Sequence, residues 1–443
     1  MFASVLWSSC LAMLAVGANS TAIMAALPDM RTELSLSSAG VEWAVNAYLV
    51  VSAAFIVLGG QAADRFGSRL ASMFGLTLFG VASCIIAVAF EQTALLAGRA
   101  LQGLAAAFAV PSTLAAVGTS AAPERRAAAI GAWAGFLMLG FSIGPLLGGA
   151  LTHLIGWRSI FWLNALLMST AIIGLASAGS TTTPVSNRHR RRTDWIGLVL
   201  LATLMVSLVF ALHGVPHTAA APFSVIGPLV LATIALVLLR TVEMRAEAPM
   251  VDMSFFARRG FAMGVTIGSL SMFSIMSLLL YFNLYAQSRE GLGLTALEAG
   301  VFLLPLSASL LALALSASAV AARVGLRNAV TGGMALMAIA SAIIGSAITG
   351  GGMVLLAIGF LVMGAGLAVP YALAPRLALS VLSPSQVGQG SGIVNACTFL
   401  GGCIGVAGGA TASALGGFVA VLMMISLAGI VGAALSRWIP ETA

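Results

Sequence analysis

Chemistry in this chain must come from few residues, because charged side chains make up 7% of its 443 positions. One dense group is Gly60-Gln61-Ala62-Ala63-Asp64-Arg65-Phe66-Gly67-Ser68-Arg69, set between two long apolar segments. Gly60 lets helices approach, and Gly67 permits a turn with positive φ. Asp64 can sit at a helix N-terminus in the other half of the chain, where the macrodipole favours an anion. Arg65 and Arg69 can bridge across a membrane face. Such contacts hold one conformation and break in another, as a gate requires; a plain charged turn fits these residues equally well. Arg99, in Ala97-Gly98-Arg99-Ala100-Leu101-Gln102-Gly103, lies inside an apolar run. An arginine there is costly unless it faces water or a partner, so it either lines a cavity or snorkels to the outer surface. Arg376 is embedded towards the other end of its run, with the same two readings open. Gly131, Gly140, Gly144, Pro145, Gly148 and Gly149 share one span. Glycines four apart make a small-residue face for close packing, and Pro145 removes a backbone hydrogen bond and invites a kink.

The elements that position these groups follow from composition. With 60% hydrophobic residues, the bilayer is the solvent. A soluble domain carries about 25% charged residues. Backbone groups in lipid are satisfied only in helices or closed barrels, and the long continuous runs select helices. A span takes about 20 residues. The expected spans lie at about 4–27, 41–62, 70–90, 94–116, 127–150, 158–178, 195–213, 223–241, 262–285, 297–318, 328–349, 353–381, 390–412 and 415–436. Little is left for a soluble domain. The N-terminus reads as a first helix with no cleavage site of signal-peptide type.

The net charge is +7, and all 20 basic residues are Arg. A basic chain can bind nucleic acid, but these arginines gather in alternate loops, the positive-inside pattern. It places both termini in the cytoplasm of a multi-pass protein of the inner (plasma) membrane. The tryptophans, at Trp7, Trp43, Trp133, Trp157, Trp162, Trp195 and Trp438, fall near span ends and suggest interfacial anchors. Cys10, Cys84, Cys397 and Cys403 sit in apolar runs and lack metal-ligand spacing; no metal is expected. Asn19-Ser20-Thr21 is a glycosylation sequon only in letters, because it lies inside a span. Gly388 to Gly392 lacks the lysine and spacing of a phosphate loop. His213 and His217 read as solvated.

Arg65-Phe66-Gly67-Ser68-Arg69 recurs as Arg323-Val324-Gly325-Leu326-Arg327, each copy after an even-numbered span. Transporters often repeat in this way. The expected organisation is a six-helix half over 1–180, a basic linker with two inserted helices over 181–245, and a second six-helix half over 246–443.

Taken together, the loop motif, the fourth-span Arg99 and the fifth-span glycines with Pro145 resemble the major facilitator superfamily, in its drug:proton antiporter subgroup with fourteen helices. Gly156-Trp157-Arg158-Ser159-Ile160-Phe161-Trp162-Leu163-Asn164 resembles the opening of that subgroup's sixth helix. Asp194-Trp195-Ile196-Gly197 resembles the start of its first inserted helix, and Gly388 to Gly392 with Asn395 and Gly401-Gly402 resembles its thirteenth helix. The resemblance implies an all-α major facilitator fold and alternating-access export of small amphipathic, often cationic compounds. It implies a proton gradient as driving force, no other cofactor, a role for Arg99 in proton relay, and a monomer. Thr21 and Ala26-Leu27-Pro28 match its first helix, but Asn19 stands where the subgroup carries an acid. Asn cannot exchange a proton near neutral pH. No Asp or Glu lies deep in a span by sequence. Coupling therefore falls to Glu42, Glu298, Asp64 or His153, and neutral, lipid-like or anionic substrates stay open, with Arg99 or Arg376 as counter-charge. Asn19→Asp is expected to shift substrate range towards cations. The alternatives are a lipid or hydrophobic-metabolite transporter and a transport-dead sensor or scaffold. An intramembrane enzyme needs convergent acid, base or metal groups, which the spans do not offer. Nucleic acid is not an expected partner.

Overall fold

Long apolar runs without water can satisfy their backbones only within themselves. In the computed structural model, which describes residues 2–178, 195–214, 222–245, 252–383 and 386–439, every regular element is helical. The expected linker arginines Arg188, Arg190, Arg191 and Arg192, with Asp194 and His217, lie outside the described residues. The helices are α1 Phe2–Glu33, α2 Ser38–Phe66, α3 Ser68–Ala87, α4 Gln92–Ser120, α5 Pro123–Leu154, α6 Arg158–Ser177, α7 Trp195–Gly214 and α8 Phe223–Glu243. They continue with α9 Arg259–Gln287, α10 Ala296–Phe302, α11 Leu304–Val324, α12 Leu326–Ser346, α13 Gly352–Leu379 and α14 Val387–Leu435.

Among the described residues, 12 helices are long and apolar enough to cross a membrane, and Ile196–Leu212 in α7 is a shorter apolar one. The last of the 12, Val387–Trp438, holds two spans. Its backbone leaves the helical region at Gly416 and Gly417, where φ reaches 62°. A Cβ on Gly408 would stand 3.3 Å from the Met424 sulfur. A straight helix would separate that pair by about 24 Å, so α14 folds back on itself as a hairpin. The span expected at 297–318 is split between α10 and α11, with Leu303 between them. Counting α7 and both arms of α14, every expected span falls on a helix.

The chain divides into two compact units, the first Met1–Ala202 and the second Thr203–Arg245 with Val251–Ala443. In the first, α1 packs on α5 and α6, α2 on α4, and α3 on α4 and α6. In the second, α9 packs on α14 and α13, α11 on α13, and α12 on α13 and α14. One pairing scheme serves both units. The sequence repeat marks its matching corner: Gly67 (φ 89°, ψ 142°) joins α2 to α3, and Gly325 (φ 86°, ψ 148°) joins α11 to α12. Only glycine adopts such angles without strain.

Two tryptophans depart from interfacial anchoring. Trp133 and Trp157 are buried; their indole N–H groups donate to Thr113 Oγ1 at 3.1 Å and Glu33 Oε2 at 2.6 Å. Trp7, Trp162 and Trp438 are exposed, as an apolar surface in lipid requires.

Candidate functional site

Arg99 sits on α4 at the meeting of α2 and α3. Sequence alone left it lining a cavity or snorkelling to the outer surface, and the fold encloses it at 0% exposure, against partners rather than at a surface. Its Nε donates to the Ala44 carbonyl at 2.7 Å, and one terminal nitrogen donates to Gln102 Oε1 at 2.8 Å. Its Cζ lies 4.6 Å from the centre of the Tyr48 ring, a cation–π contact worth about 2 kcal/mol when desolvated. Gln102 donates onward to Ser83 Oγ at 2.8 Å, and Ser20 on α1 donates to the Tyr48 hydroxyl at 3.4 Å. The other terminal nitrogen of Arg99 has no hydrogen-bond partner. A buried cation held by dipoles and a ring keeps capacity for an acceptor that arrives later. Sequence reading singled out Arg99 but not its partners. The available signal was spacing, since Gln102 follows at three residues and so shares its helix face.

The glycines of α5 divide. A Cβ at Gly140, Gly144 or Gly148 would strike the backbone of α1, at Leu14, Ala18 and Ala22 respectively. Gly17 on α1 answers from the other side, against Leu137 and Gly140. These positions bring two helix backbones together. Gly149 is buried. Gly131 is exposed and has open space where a Cβ would go, so it takes no part in the packing face expected of it. Pro145, inside α5, cannot donate to the carbonyl four residues back. That carbonyl is Phe141's, and Thr21 Oγ1 of α1 donates to it at 3.1 Å. The proline and the threonine are therefore complementary.

Asn19, two residues before Thr21, is 1% exposed. Its Oδ1 accepts from Asn164 Nδ2 of α6 at 2.8 Å. The pair borders a cavity of about 40 Å³ among α1, α5 and α6, otherwise lined by Leu, Ile and Ala side chains.

In the loop motif, Gly60 through Phe66 form the last turns of α2, so the connection to α3 is Gly67 alone. Asp64 and Arg65 are exposed. Arg69 reaches α6 of the same unit and donates to the Ala176 carbonyl at 2.6 Å, where the C-terminal end of a helix favours a cation. Close helix approach falls to Gly59 rather than Gly60. A Cβ on Gly59 would meet the Ala107 backbone, whereas one on Gly60 clears its nearest neighbour, Pro111, by 4.0 Å. Arg376 is exposed in the last turn of α13, and Glu42 is half-buried near the start of α2. Glu298 is engaged in a capping box with Thr295 at the start of α10. Glu243, at the end of α8, is a buried carboxyl, 4% exposed. At the other end of the first unit, Glu33 closes α1 onto α6 through Trp157 and an ion pair with Arg158, which also donates to the Ala89 carbonyl at 2.9 Å.

The sequence pattern of the Major Facilitator Superfamily matches residues 9–406. The chain is 32% identical over 289 residues to the methylenomycin A resistance protein of Bacillus subtilis (strain 168), an alignment covering 65% of this chain and 61% of that relative. It is 28% identical over 392 residues to the tetracenomycin C resistance and export protein of Streptomyces glaucescens, covering 88% of this chain and 72% of the relative. The crystal structure of the human organic anion transporter MFSD10 (TETRAN) superposes with a TM-score of 0.65 over 98% of each chain at 17% identity, a likeness of fold alone.

Proposed function

The chain belongs to the Major Facilitator Superfamily, and on that premise we propose that it exports small amphipathic compounds, drugs among them, by alternating access. The observation that carries the reading is the match along residues 9–406 joined to a relative whose name states resistance and export. The matching helix pairings within the two units support an internal repeat of the kind such transporters carry. The helices α7 and α8, which stand in the chain between α6 and α9, support placement in the fourteen-helix drug:proton antiporter subgroup. Coupling to protons, with the termini in the cytoplasm of the plasma membrane and the chain acting as a monomer, completes the proposal. Ethidium accumulation in energised inverted vesicles tests it. Accumulation that collapses with a protonophore supports proton-coupled export; accumulation that survives collapse removes the proton and keeps the exporter.

A second reading has one observation in its favour. Asn19 is an amide bonded to another amide, so this depth of α1 offers no anion for a cationic substrate. A neutral or lipid-like substrate fits that interior better. Accumulation of a neutral fluorescent lipid analogue, with ethidium ignored, would select it.

A further inference from the structure

The two copies of the repeated corner differ in charge. In the first, Asp64 stands beside Arg65; in the second, Ala322 stands beside Arg323. The difference extends along the chain, because no Asp or Glu occurs between Glu298 and Glu441, and Glu441 lies outside the described residues. The stretch from α11 to the turn that closes α14 thus carries Arg323, Arg327, Arg376 and Arg437 with no acid of its own. The fold gathers three of them. The short 3₁₀ turn Ser436–Trp438 packs on α12. Thr331 Oγ1 lies 2.6 Å from Ser436 Oγ, in hydrogen-bond contact, and 2.8 Å from the Arg327 carbonyl oxygen. Arg437 follows Ser436, Arg327 stands one turn before Thr331, and Arg323 precedes the single-residue corner at Gly325. Arg323 and Arg437 are exposed and form no ion pair among the described residues. Trp438, beside Arg437, is 65% exposed.

Away from the arginines the surface turns apolar. The second arm of α14 closes on α12 at Gly429 and Gly432, where an added Cβ would strike Met334. Outside that seam, Leu336 and Ile339 of α12 and Ile430 and Val431 of α14 are exposed. At 1.5 Å per residue they stand about 9–18 Å along their helices from Arg327 and Arg437, the reach of an acyl chain. An indole between charged and apolar surface sits at headgroup level. A phosphodiester brings the missing negative charge, and its oxygens match the paired N–H donors of a guanidinium. Free phosphate would leave the apolar wall unused, and a zwitterionic lipid would bring no net charge. We propose that this end of the second unit is a docking site for an anionic phospholipid. Its phosphate meets Arg323 and Arg437, with Arg327 beside them, and its acyl chain lies along α12 and the second arm of α14. The site goes beyond the export reading and does not rest on it.

Native mass spectrometry of the full chain in detergent tests the site, by titration with phosphatidylglycerol or phosphatidylcholine of identical acyl chains. The wild type is expected to bind phosphatidylglycerol at least about tenfold more tightly, since each arginine near a lipid surface contributes about a fivefold preference. Arg323→Gln combined with Arg437→Gln is expected to bring the ratio within about threefold. Arg125→Gln combined with Arg126→Gln removes the same charge from exposed positions at the start of α5 and should leave the wild-type ratio. Equal affinity for the two lipids in the wild type overturns the proposal without any variant. Equal losses in the two double variants overturn it too, because they would make the preference one of total charge. Inorganic phosphate separates the sources of the anion. Its failure to displace phosphatidylglycerol at matched concentration supports a lipid site; displacement overturns it.

Discussion

The two units close their main seams by different means. In the first, α1 and α5 meet through Gly17, Gly140, Gly144 and Gly148, and the added hydroxyl contact, Thr21 to Phe141, serves a carbonyl that Pro145 has deprived of its helical donor. In the second, α9 and α14 meet through Gly401, Gly405 and Gly409, each set against Ser269, Phe273 or Tyr281. There Ser269, Ser277 and Tyr281 donate to the carbonyls of Cys397, Gly405 and Val406 at 2.9, 2.7 and 2.8 Å. No proline interrupts α14, so those carbonyls keep their own helical partners and the hydroxyls add second bonds. The second seam is a reinforced helix pair. The first is a pair in which one helix depends on the other for backbone satisfaction.

Overpacking should hurt both seams most. Gly148→Val and Gly405→Val are each expected to cost about 3 kcal/mol, read as a loss of thermal stability in detergent. Gly131→Val, at the open position, should cost nothing measurable; a large loss there would show that the glycine spacing, not the close approach, matters. The sharper contrast comes next. Thr21→Val should cost about 2 kcal/mol by orphaning the Phe141 carbonyl, and the cost should vanish in a Pro145→Ala background, where residue 145 again donates. An additive cycle would break the proposed complementarity. Ser277→Ala, whose target carbonyl keeps its helical bond, is expected to cost about 1 kcal/mol, with no dependence on any proline. Smallest is the outer clasp of the first unit. Arg158→Gln removes an ion pair whose carboxylate side is 49% exposed, worth about 0.5 kcal/mol. A larger melting shift would mean the clasp governs the seam beneath it.

Much of this was legible in the sequence because lipid simplifies the problem. Span positions follow from apolar runs, and the Gly67 and Gly325 turns from a repeated five-residue phrase. Pro145 and the four-residue glycine spacing announced a tight helix contact, though not that α1 was its partner. What stayed hidden was lateral. Nothing in a single chain says that Asn19 meets Asn164 across 145 positions, or that Tyr48 lies under Arg99. Glu243 ends an apolar run and is nonetheless buried, because burial depends on neighbours that a run cannot name. Glu298 illustrates the reverse: its Thr-x-x-Glu spacing was a helix-start signal, overlooked in favour of a proton role.

The single-residue corner at Gly67 has a practical side for protein engineering. It lies beside exposed Phe66 and Leu70 and looks like a convenient place for an epitope or reporter. Because one residue fixes the rotational phase of α3 against α2, each residue inserted would turn α3 by about 100°. The face bearing Ala71, Ser72, Gly75 and Phe79, now buried, would swing towards lipid. Tags belong elsewhere, and a graded series of insertions at Gly67 becomes a dial for helix phase.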